Sequence, residues 1–173
     1  MERSSQVILR NASRLKPGSV LLVNPPRDHL CQLFEQEGRL VRASTQHFGD
    51  YRWLQASGVN VTFDVVPWPV APDEVVVMTL PREKERLDMM LHSISAGMTP
   101  DSVLWLVGEN QAGIKSAGRH LERHFNAVTK LDNARHCGLF EATGPQTDTP
   151  FDAAYGPLCD LPKAEPKQAG KRA

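Results

Sequence analysis

Apolar residues follow two alternating patterns along most of the chain. Short continuous runs rich in valine and leucine predict buried strands, whereas apolar positions three and four residues apart predict amphipathic helices. The predicted strands are residues 19–23, 40–44, 59–66, 74–80 and 102–107. The predicted helices are residues 5–15, 28–38, 50–57, 83–98 and 114–125. Ser4 or Ser5 is a candidate cap of the first helix, and Asp28 of the second.

The chain after residue 125 changes to an antiparallel pattern. Apolar segments at 127–130 and 137–142 flank the polar stretch 132–136, which predicts a β-hairpin with that stretch as its connection. Strands that alternate with helices predict a mostly parallel sheet with helices on both faces. A closing antiparallel hairpin on such a sheet is the ending found in S-adenosylmethionine methyltransferases. We therefore predict a Rossmann-like α/β fold of methyltransferase type with a C-terminal β-hairpin.

Composition narrows the class of protein without giving a function. The 173 residues include 20 acidic and 20 basic ones, so no net charge attracts the whole molecule to nucleic acid or anionic lipid. Cys31, Cys137 and Cys159 are far apart, and neither they nor the isolated histidines have metal-ligand spacing. This spacing argues against a disulfide framework and against a zinc site. The polar N-terminus and the short apolar runs predict a cytoplasmic protein without a membrane segment.

The segment LWLVGENQAGIKSAGRHL, residues 104–121, invites comparison with a phosphate-binding P-loop. Gly108 and Gly113 have the P-loop separation, and a helix pattern follows them. However, Ile114 stands where the lysine must be, and Lys115 comes one residue late. One residue at a helix start is a rotation of about 100°, which turns Lys115 away from the phosphates. We interpret the segment as a strand-to-helix corner, where Gly108 permits a sharp exit and Gly113 lets the helix approach the sheet.

A second segment, LLVNPPRDHL at residues 21–30, invites comparison with a methyltransferase active site. Amino-group methyltransferases of adenine and guanine use an Asn/Asp-Pro-Pro-aromatic turn, whose ring stacks on a flipped base. Here Asn24-Pro25-Pro26 is followed by Arg27, and the turn comes after the first strand instead of the fourth. In addition, no GxG loop follows a predicted strand in the first half of the chain. The turn is therefore interpreted as the end of a strand and not as a catalytic triplet.

Several less common residue combinations occur together in the second half of the chain. VGENQAGIKSA at residues 107–117 and KLDNARHCGLFEATG at residues 130–144 closely resemble the N-terminal domain of the bacterial 16S rRNA guanine-N2 methyltransferases, the small-subunit methyltransferase C family. SSQVILRN at residues 4–11 resembles the family's first helix, and PFDAAYG at residues 150–156 resembles its inter-domain connection. The motif residues are Gly108, Glu109, Asn110, Gly113, Ser116, Cys137 and Gly138.

The resemblance implies a division of labour between two domains. In that family a second methyltransferase fold binds S-adenosylmethionine and carries the Asn-Pro-Pro-aromatic turn. The first fold is a degenerate copy that has lost the cofactor site, and it aids rRNA recognition and the stability of the whole. By this resemblance we expect no catalytic residue and no cofactor in this chain. The expected partners are 16S rRNA or the small ribosomal subunit and a C-terminal catalytic domain.

A contact with RNA requires a local group of cations, because the net charge is zero. Lys115, Arg119 and Arg123 recur four residues apart on the predicted last helix, away from its apolar side, with His120 and His124 beside them. Glu122 and Asp132 are the acidic residues expected near them. The candidate RNA-binding residues are Lys115, Arg119, Arg123, Lys130 and Arg135. A solvated helix face is the alternative interpretation of the same pattern.

The domain boundaries and two further functions complete the predictions. Residues 1–155 are predicted to form the degenerate methyltransferase-like domain, and residues 156–173 a disordered basic tail or linker. The first alternative is a standalone structural or interaction module that does not bind RNA. The second is an active methyltransferase that binds S-adenosylmethionine and uses Asn24.

Overall fold

The fold is built on one seven-stranded sheet in a computed structural model that describes residues 1–64, 71 and 73–146. The strands are β1 (Val20–Val23), β2 (Val41–Thr45), β3 (Val61–Phe63), β4 (Val75–Thr79), β5 (Val103–Glu109), β6 (Phe125–Ala134) and β7 (Cys137–Pro145). Their order across the sheet is β3-β2-β1-β4-β5-β7-β6. The first five strands are parallel, and β7 runs antiparallel to both of its neighbours. This arrangement confirms the predicted mostly parallel sheet with a C-terminal hairpin.

Helices cover both faces of the sheet, as predicted. They are α1 (Arg3–Arg10), α2 (Leu30–Gln36), α3 (Phe48–Ala56), α4 (Leu87–Ala96) and α5 (Ile114–His124). Because successive strand side chains point to opposite faces, β1 contributes to two separate cores. Val20 and Leu22 pack with residues of α1, α2 and α3, whereas Leu21 and Val23 pack with α4 and α5. Every residue of β1 is therefore buried, as its continuous apolar run predicts.

Most predicted elements agree with the structure to within about two residues at each end, and three differ in a way that matters for the fold. The first helix is shorter, with Ser4 and Ser5 buried inside it instead of capping it, and residues 12–14 form a separate 3₁₀ turn. The predicted helix 83–98 begins as a 3₁₀ turn before α4 starts at Leu87. Of the predicted strand 59–66, only Val61–Phe63 is strand among the residues described. Serine occurs both at helix caps and inside helices, so the sequence alone did not distinguish these two positions for Ser4 and Ser5.

The terminal hairpin is tighter than predicted. The polar stretch 132–136 is not a loop, because β6 continues through Ala134 and only Arg135 and His136 connect it to β7. Both turn residues have a positive φ, 54° and 63°, as a two-residue type I′ turn requires. Asparagine and glycine are the usual residues of that turn, so Arg135-His136 carries no standard turn signal.

Some predictions fall outside the residues that the structure describes. These are the end of the strand at 65–66, the inter-domain connection 150–156 and the basic tail 156–173. Within the described residues, no helix combines the length and the apolar character needed to cross a membrane.

Candidate nucleic-acid interface and adjoining cleft

Helix α5 separates its apolar and basic residues onto opposite sides. Ile114, Ala117 and Leu121 are buried against the sheet, and Lys115 and Arg119 are exposed. Among the described residues, neither of these two cations has an ion-pair partner. The spacing predicted from the sequence is therefore realised as a solvent-facing basic row on α5.

Arg123, the third cation of this row, is exposed but already paired. Its guanidinium group lies 2.9 Å from Asp88 of α4, and the same carboxylate lies 3.0 Å from His120 and 3.2 Å from His124. The prediction that Glu122 and Asp132 are the nearby acidic residues is therefore incomplete, because Asp88 reaches α5 from another helix.

His124 belongs to this buried pairing and not to the exposed basic row. Its side chain is only 3% exposed. Burial lowers the pKa of His124 below its usual value, although the hydrogen bond and charge of Asp88 act in the opposite direction. The ring of His92 meets it edge-on at 6.3 Å, and burial lowers the pKa of His92 as well. Burial in the α4–α5 contact therefore disfavours the protonated form of both histidines.

The two predicted hairpin cations lie in different settings. Lys130 projects over the ring of Phe140, with its ammonium nitrogen 6.0 Å from the ring centre. Arg135 is exposed at the β6–β7 turn, which the backbone ties to the end of β5. The backbone N–H of Asn110 donates a hydrogen bond of 2.8 Å to the backbone carbonyl of His136. The structure therefore places Arg135 at the same sheet edge as the start of α5, where Lys115 lies.

One cation of this edge was missed by sequence reasoning. The ammonium group of Lys84, from the 3₁₀ turn before α4, lies so near Gly113 that a Cβ there would come within 2.7 Å of it. Lys84 is 31 residues or more from the α5 cations in sequence, so no local pattern connects them. We call the exposed set Lys84, Lys115, Arg119 and Arg135 the basic edge.

The motif glycines serve the packing of this corner. A Cβ on Gly108 would lie 2.8 Å from the Cβ of Leu80, and one on Gly138 would lie 3.2 Å from Ile114. Gly113 has a φ of 95° and precedes the first residue of α5, so its role is to turn the backbone. The close approach of α5 to the sheet, which was predicted for Gly113, is instead made at Gly108 and Gly138. The Ser116 hydroxyl donates to the Gly113 carbonyl at 3.0 Å. These contacts support the interpretation as a strand-to-helix corner.

The remaining motif residues lie beside this corner. Glu109 is exposed at the end of β5, opposite Cys137 in the β5–β7 register. Cys137 is fully buried, and burial raises the pKa of its thiol, with a further contribution from the Glu109 carboxylate. Cys137 is therefore a packed thiol. Among the described residues, no group of three histidines, cysteines or carboxylates has the geometry to hold a metal ion.

A cleft of about 400 Å³ opens next to the basic edge, at the carboxyl ends of β1, β4 and β5. This is the point where strand order reverses, and it is where open α/β sheets bind ligands. Asn24 and its two prolines form one wall, and Leu80 and Pro81 form another. Of the described residues that line it, Gly108 is the single glycine.

Asn24 has a backbone role at the edge of this cleft. Its φ of 55° is left-handed, a conformation that asparagine tolerates better than most residues. Its side-chain oxygen accepts a long hydrogen bond of 3.4 Å from the backbone N–H of Gln46. The turn that follows β4, where amino methyltransferases place the Asn-Pro-Pro triplet, is instead Leu80-Pro81-Arg82. The Asn-Pro-Pro triplet of this chain therefore follows β1, and the turn after β4, on the neighbouring strand, has no such triplet.

The strand order and the cleft at its reversal point define a methyltransferase-like α/β fold, and the comparisons narrow the class further. Residues 5–155 match the family model described as "Methyltransferase small domain N-terminal". The chain belongs to this family, and its resemblance to the small-subunit methyltransferase C proteins is confirmed.

Curated relatives carry the description "Ribosomal RNA small subunit methyltransferase C". The Acinetobacter baylyi protein is 32% identical over 148 residues, which are 86% of this chain and 43% of the relative. The Pseudomonas putida protein (strain W619) is 33% identical over 145 residues, 83% of this chain and 41% of the relative. The chain thus spans less than half the length of the curated relatives it matches.

Solved structures share the fold at low sequence identity. The Thermus thermophilus 16S rRNA N2 G1207 methyltransferase, solved in complex with AdoMet and guanosine, has a TM-score of 0.72 at 14% identity. The match covers 86% of this chain and 40% of that one. A glycopeptide N-methyltransferase complexed with S-adenosyl-L-homocysteine has a TM-score of 0.63 at 11% identity, with 82% and 87% covered.

Proposed function

We propose that this chain is the non-catalytic, RNA-contacting N-terminal domain of an S-adenosylmethionine-dependent 16S rRNA guanine-N2 methyltransferase. It contributes to substrate recognition, and a C-terminal catalytic domain performs the transfer. The observation that carries the proposal is the basic edge, four exposed cations from three parts of the chain, two of them on α5 and two near the start of α5. Phosphate contacts supply most of the affinity and the orientation in such complexes, and they need unpaired Lys and Arg side chains.

The basic edge differs from the five cations predicted from the sequence. Lys115, Arg119 and Arg135 are retained, because they are exposed and have no ion-pair partner among the described residues. Arg123 is partly neutralised by Asp88, and Lys130 lies over Phe140, so both contribute less to the proposed contact.

The cleft gives less support to an active methyltransferase that uses Asn24. A methyl-donor site needs close backbone approach after β1, which glycine provides, and the turn here consists of Asn24 and two prolines. We expect isothermal titration of this chain with S-adenosylmethionine to give no binding heat. Micromolar binding would overturn the non-catalytic assignment and restore Asn24 as a candidate reactive group.

A structural module without RNA contact has weaker support than the basic edge. Such a module would dock its partner through a large continuous apolar surface. The large apolar side chains that are exposed among the described residues are Met1, Leu40, Phe48 and Phe63. Leu40 precedes β2, whereas Phe48 and Phe63 lie near the carboxyl ends of β2 and β3. Leu40 is therefore at the opposite end of the strands from the two phenylalanines, and these residues do not form one large apolar surface.

The RNA contact is tested with a matched pair of double variants. Lys115→Gln with Arg119→Gln removes two cations of the basic edge, and Arg14→Gln with Lys16→Gln removes two exposed cations near the start of β1, at the other end of the sheet. Filter binding to 16S rRNA is measured over a range of salt concentrations. We expect the first variant to weaken binding and to lower the slope of log affinity against log salt by about 1.4 to 1.8, at about 0.7 to 0.9 per phosphate contact. Equal affinity and slope in both variants would exclude the basic edge.

A further inference from the structure

Three aromatic side chains form an exposed cluster that the basic edge does not include. The rings of Phe48, Tyr51 and Phe63 contact one another, with centres 5.5 to 6.1 Å apart. Phe48 is 56% exposed and Phe63 is 47% exposed, whereas Phe34 and Phe125 are almost completely buried. We call these three rings the aromatic platform.

The fold places the aromatic platform beside the cleft. Phe48 begins α3 directly after His47, which lines the cleft, and Phe63 ends β3 opposite Thr45 of β2. Along α3, Phe48 and Tyr51 are three residues apart and share one side of the helix. Leu54, one turn further along α3, is buried in the core. The rings therefore line an outer surface at the same sheet edge as the cleft.

Two arginines flank the rings. The guanidinium carbon of Arg52 lies 5.8 Å from the centre of the Phe48 ring. The guanidinium group of Arg27 lies close to Gly49, where a Cβ would come within 2.7 Å of it, and its Nε lies 2.7 Å from Asp50. Arg27 is therefore partly neutralised, whereas Arg52 is exposed and has no ion-pair partner among the described residues. Exposed rings bordered by Arg are the combination that proteins use to stack unpaired bases while contacting the backbone phosphates.

From this arrangement we infer that the aromatic platform stacks unpaired bases of a single-stranded RNA segment. The inference rests on the proposed function for its partner and adds a second contact on the opposite side of the cleft. The exposed area of the aromatic platform fits stacked bases better than a protein partner. A phenylalanine side chain has a surface of about 200 Å², so the exposed halves of two of them give about 200 Å² together. A stable protein interface needs about 800 Å² from each partner.

Trp53 and Trp105 are less suited to base stacking than Phe48 and Phe63. Trp105 is completely buried in β5 and Trp53 is partly buried against the core. Trp68 lies outside the described residues. The signal that identifies Phe48 and Phe63 is their mutual contact across α3 and β3, which requires the fold.

The test compares two RNA probes of the same length with this chain. One is a labelled oligouridylate of twelve nucleotides, and the other is the same ribose-phosphate chain without bases. We expect Phe48→Leu with Phe63→Leu, which keeps apolar side chains and removes ring faces, to weaken binding of the oligouridylate about tenfold, since stacking contributes about 1–3 kcal/mol per base. Binding of the abasic probe and the salt slope should stay unchanged. Leu40→Ala, which alters an exposed apolar side chain at the opposite end of the strands, is the control and should change neither.

The outcomes separate this inference from the basic edge. Loss of the salt slope in the Lys115→Gln, Arg119→Gln variant tests the phosphate contacts alone, so either result can hold when the other fails. Unchanged affinity of the Phe48→Leu, Phe63→Leu variant for oligouridylate overturns the stacking contact, as does an equal loss on the abasic probe. A change in sedimentation that is confined to this variant would identify a second copy of the chain as the occupant and would also overturn it.

A measurement on the unsubstituted chain covers the case in which the double variant does not fold. Nuclear magnetic resonance of the oligouridylate should show upfield shifts of the uracil H5 and H6 signals on binding, because aromatic rings shield protons above their faces. Phe48→Tyr keeps the ring and should preserve these shifts. Binding without any upfield shift would contradict the inference.

Discussion

The corner between β5 and α5 and the turn after β1 lie at the same edge of the sheet, yet they are built in different ways. At the corner, Gly108 and Gly138 allow the sheet and α5 to touch, and Gly113 turns the chain. At the turn, two prolines and Asn24 fix the backbone beside an open cleft. The corner resembles a nucleotide-binding motif in sequence, but its glycines are explained by packing. The turn occupies the ligand position of the fold and carries no glycine.

This difference shows that the spacing of glycines identifies a site only together with the contacts around them. The same residue type can open room for a ligand or for a neighbouring side chain. At Gly108 the neighbour is Leu80, which follows β4 and also lines the cleft.

Gly108→Val should have the largest effect and tests whether the corner is a packing element. A Cβ at this position would lie 2.8 Å from the Leu80 Cβ, which is fixed to its backbone and cannot rotate away. Overpacking of this kind costs about 3 kcal/mol in the free energy of unfolding. Urea denaturation measures it, with Ala112→Val, an exposed position in the same corner, as a control that should change stability by less than about 0.5 kcal/mol. A Gly108→Val protein as stable as the control would show that the corner has room for a ligand.

Asp88→Ala should have the next largest effect and tests how much of the basic side of α5 is structural. The substitution leaves the ring of His124, 3% exposed, without its carboxylate partner. An unsatisfied buried polar group costs about 2 kcal/mol. Asp101→Ala, an exposed acid after α4, is the matched control for the loss of one negative charge. Equal stability of the two variants would mean that the Asp88 contacts contribute nothing.

The same cluster predicts how stability depends on pH. Burial lowers the pKa of His124 and His92 in the folded protein below the ordinary value of 6.5. The unfolded chain therefore binds more protons just below pH 6.5, and stability falls as the pH drops through 6.5 toward the folded pKa values. Asp88 raises the pKa of His124, so Asp88→Ala should make the fall steeper. A stability profile of the unsubstituted protein that is flat between pH 7.5 and pH 5.5 would contradict this assignment.

The sequence predicted the element order well because that order depends on local apolar periodicity. Val20–Val23 and α5 are examples, since each is defined by residues only a few positions apart. The hairpin connection was wrong because Arg135-His136 adopts a left-handed turn without the usual residues, and the pairing of β6 with β7 enforces it.

The site was only partly predictable, because its electrostatics depend on contacts between distant segments. The exposure of Lys115 and Arg119 follows from helix periodicity. In contrast, Asp88 meets Arg123 across 35 residues of sequence, and Phe48 meets Phe63 across a strand pair. These contacts determine which cations are free to bind a phosphate and which rings lie together at the surface. They cannot be predicted from the spacing of residues along the chain.

Substitution of Asn24 should have the smallest effect, and it tests the role of the turn after β1. If Asn24 is present because its φ of 55° suits asparagine, then Asn24→Ala should lower the free energy of unfolding by about 1 kcal/mol. Asn24→Gly should cost less, because glycine adopts this conformation without steric strain. Thermal or urea unfolding of the two variants distinguishes the backbone role from a side-chain role. If glycine costs as much as alanine, the Asn24 amide itself is important, and the turn after β1 would have to be reconsidered as a binding element.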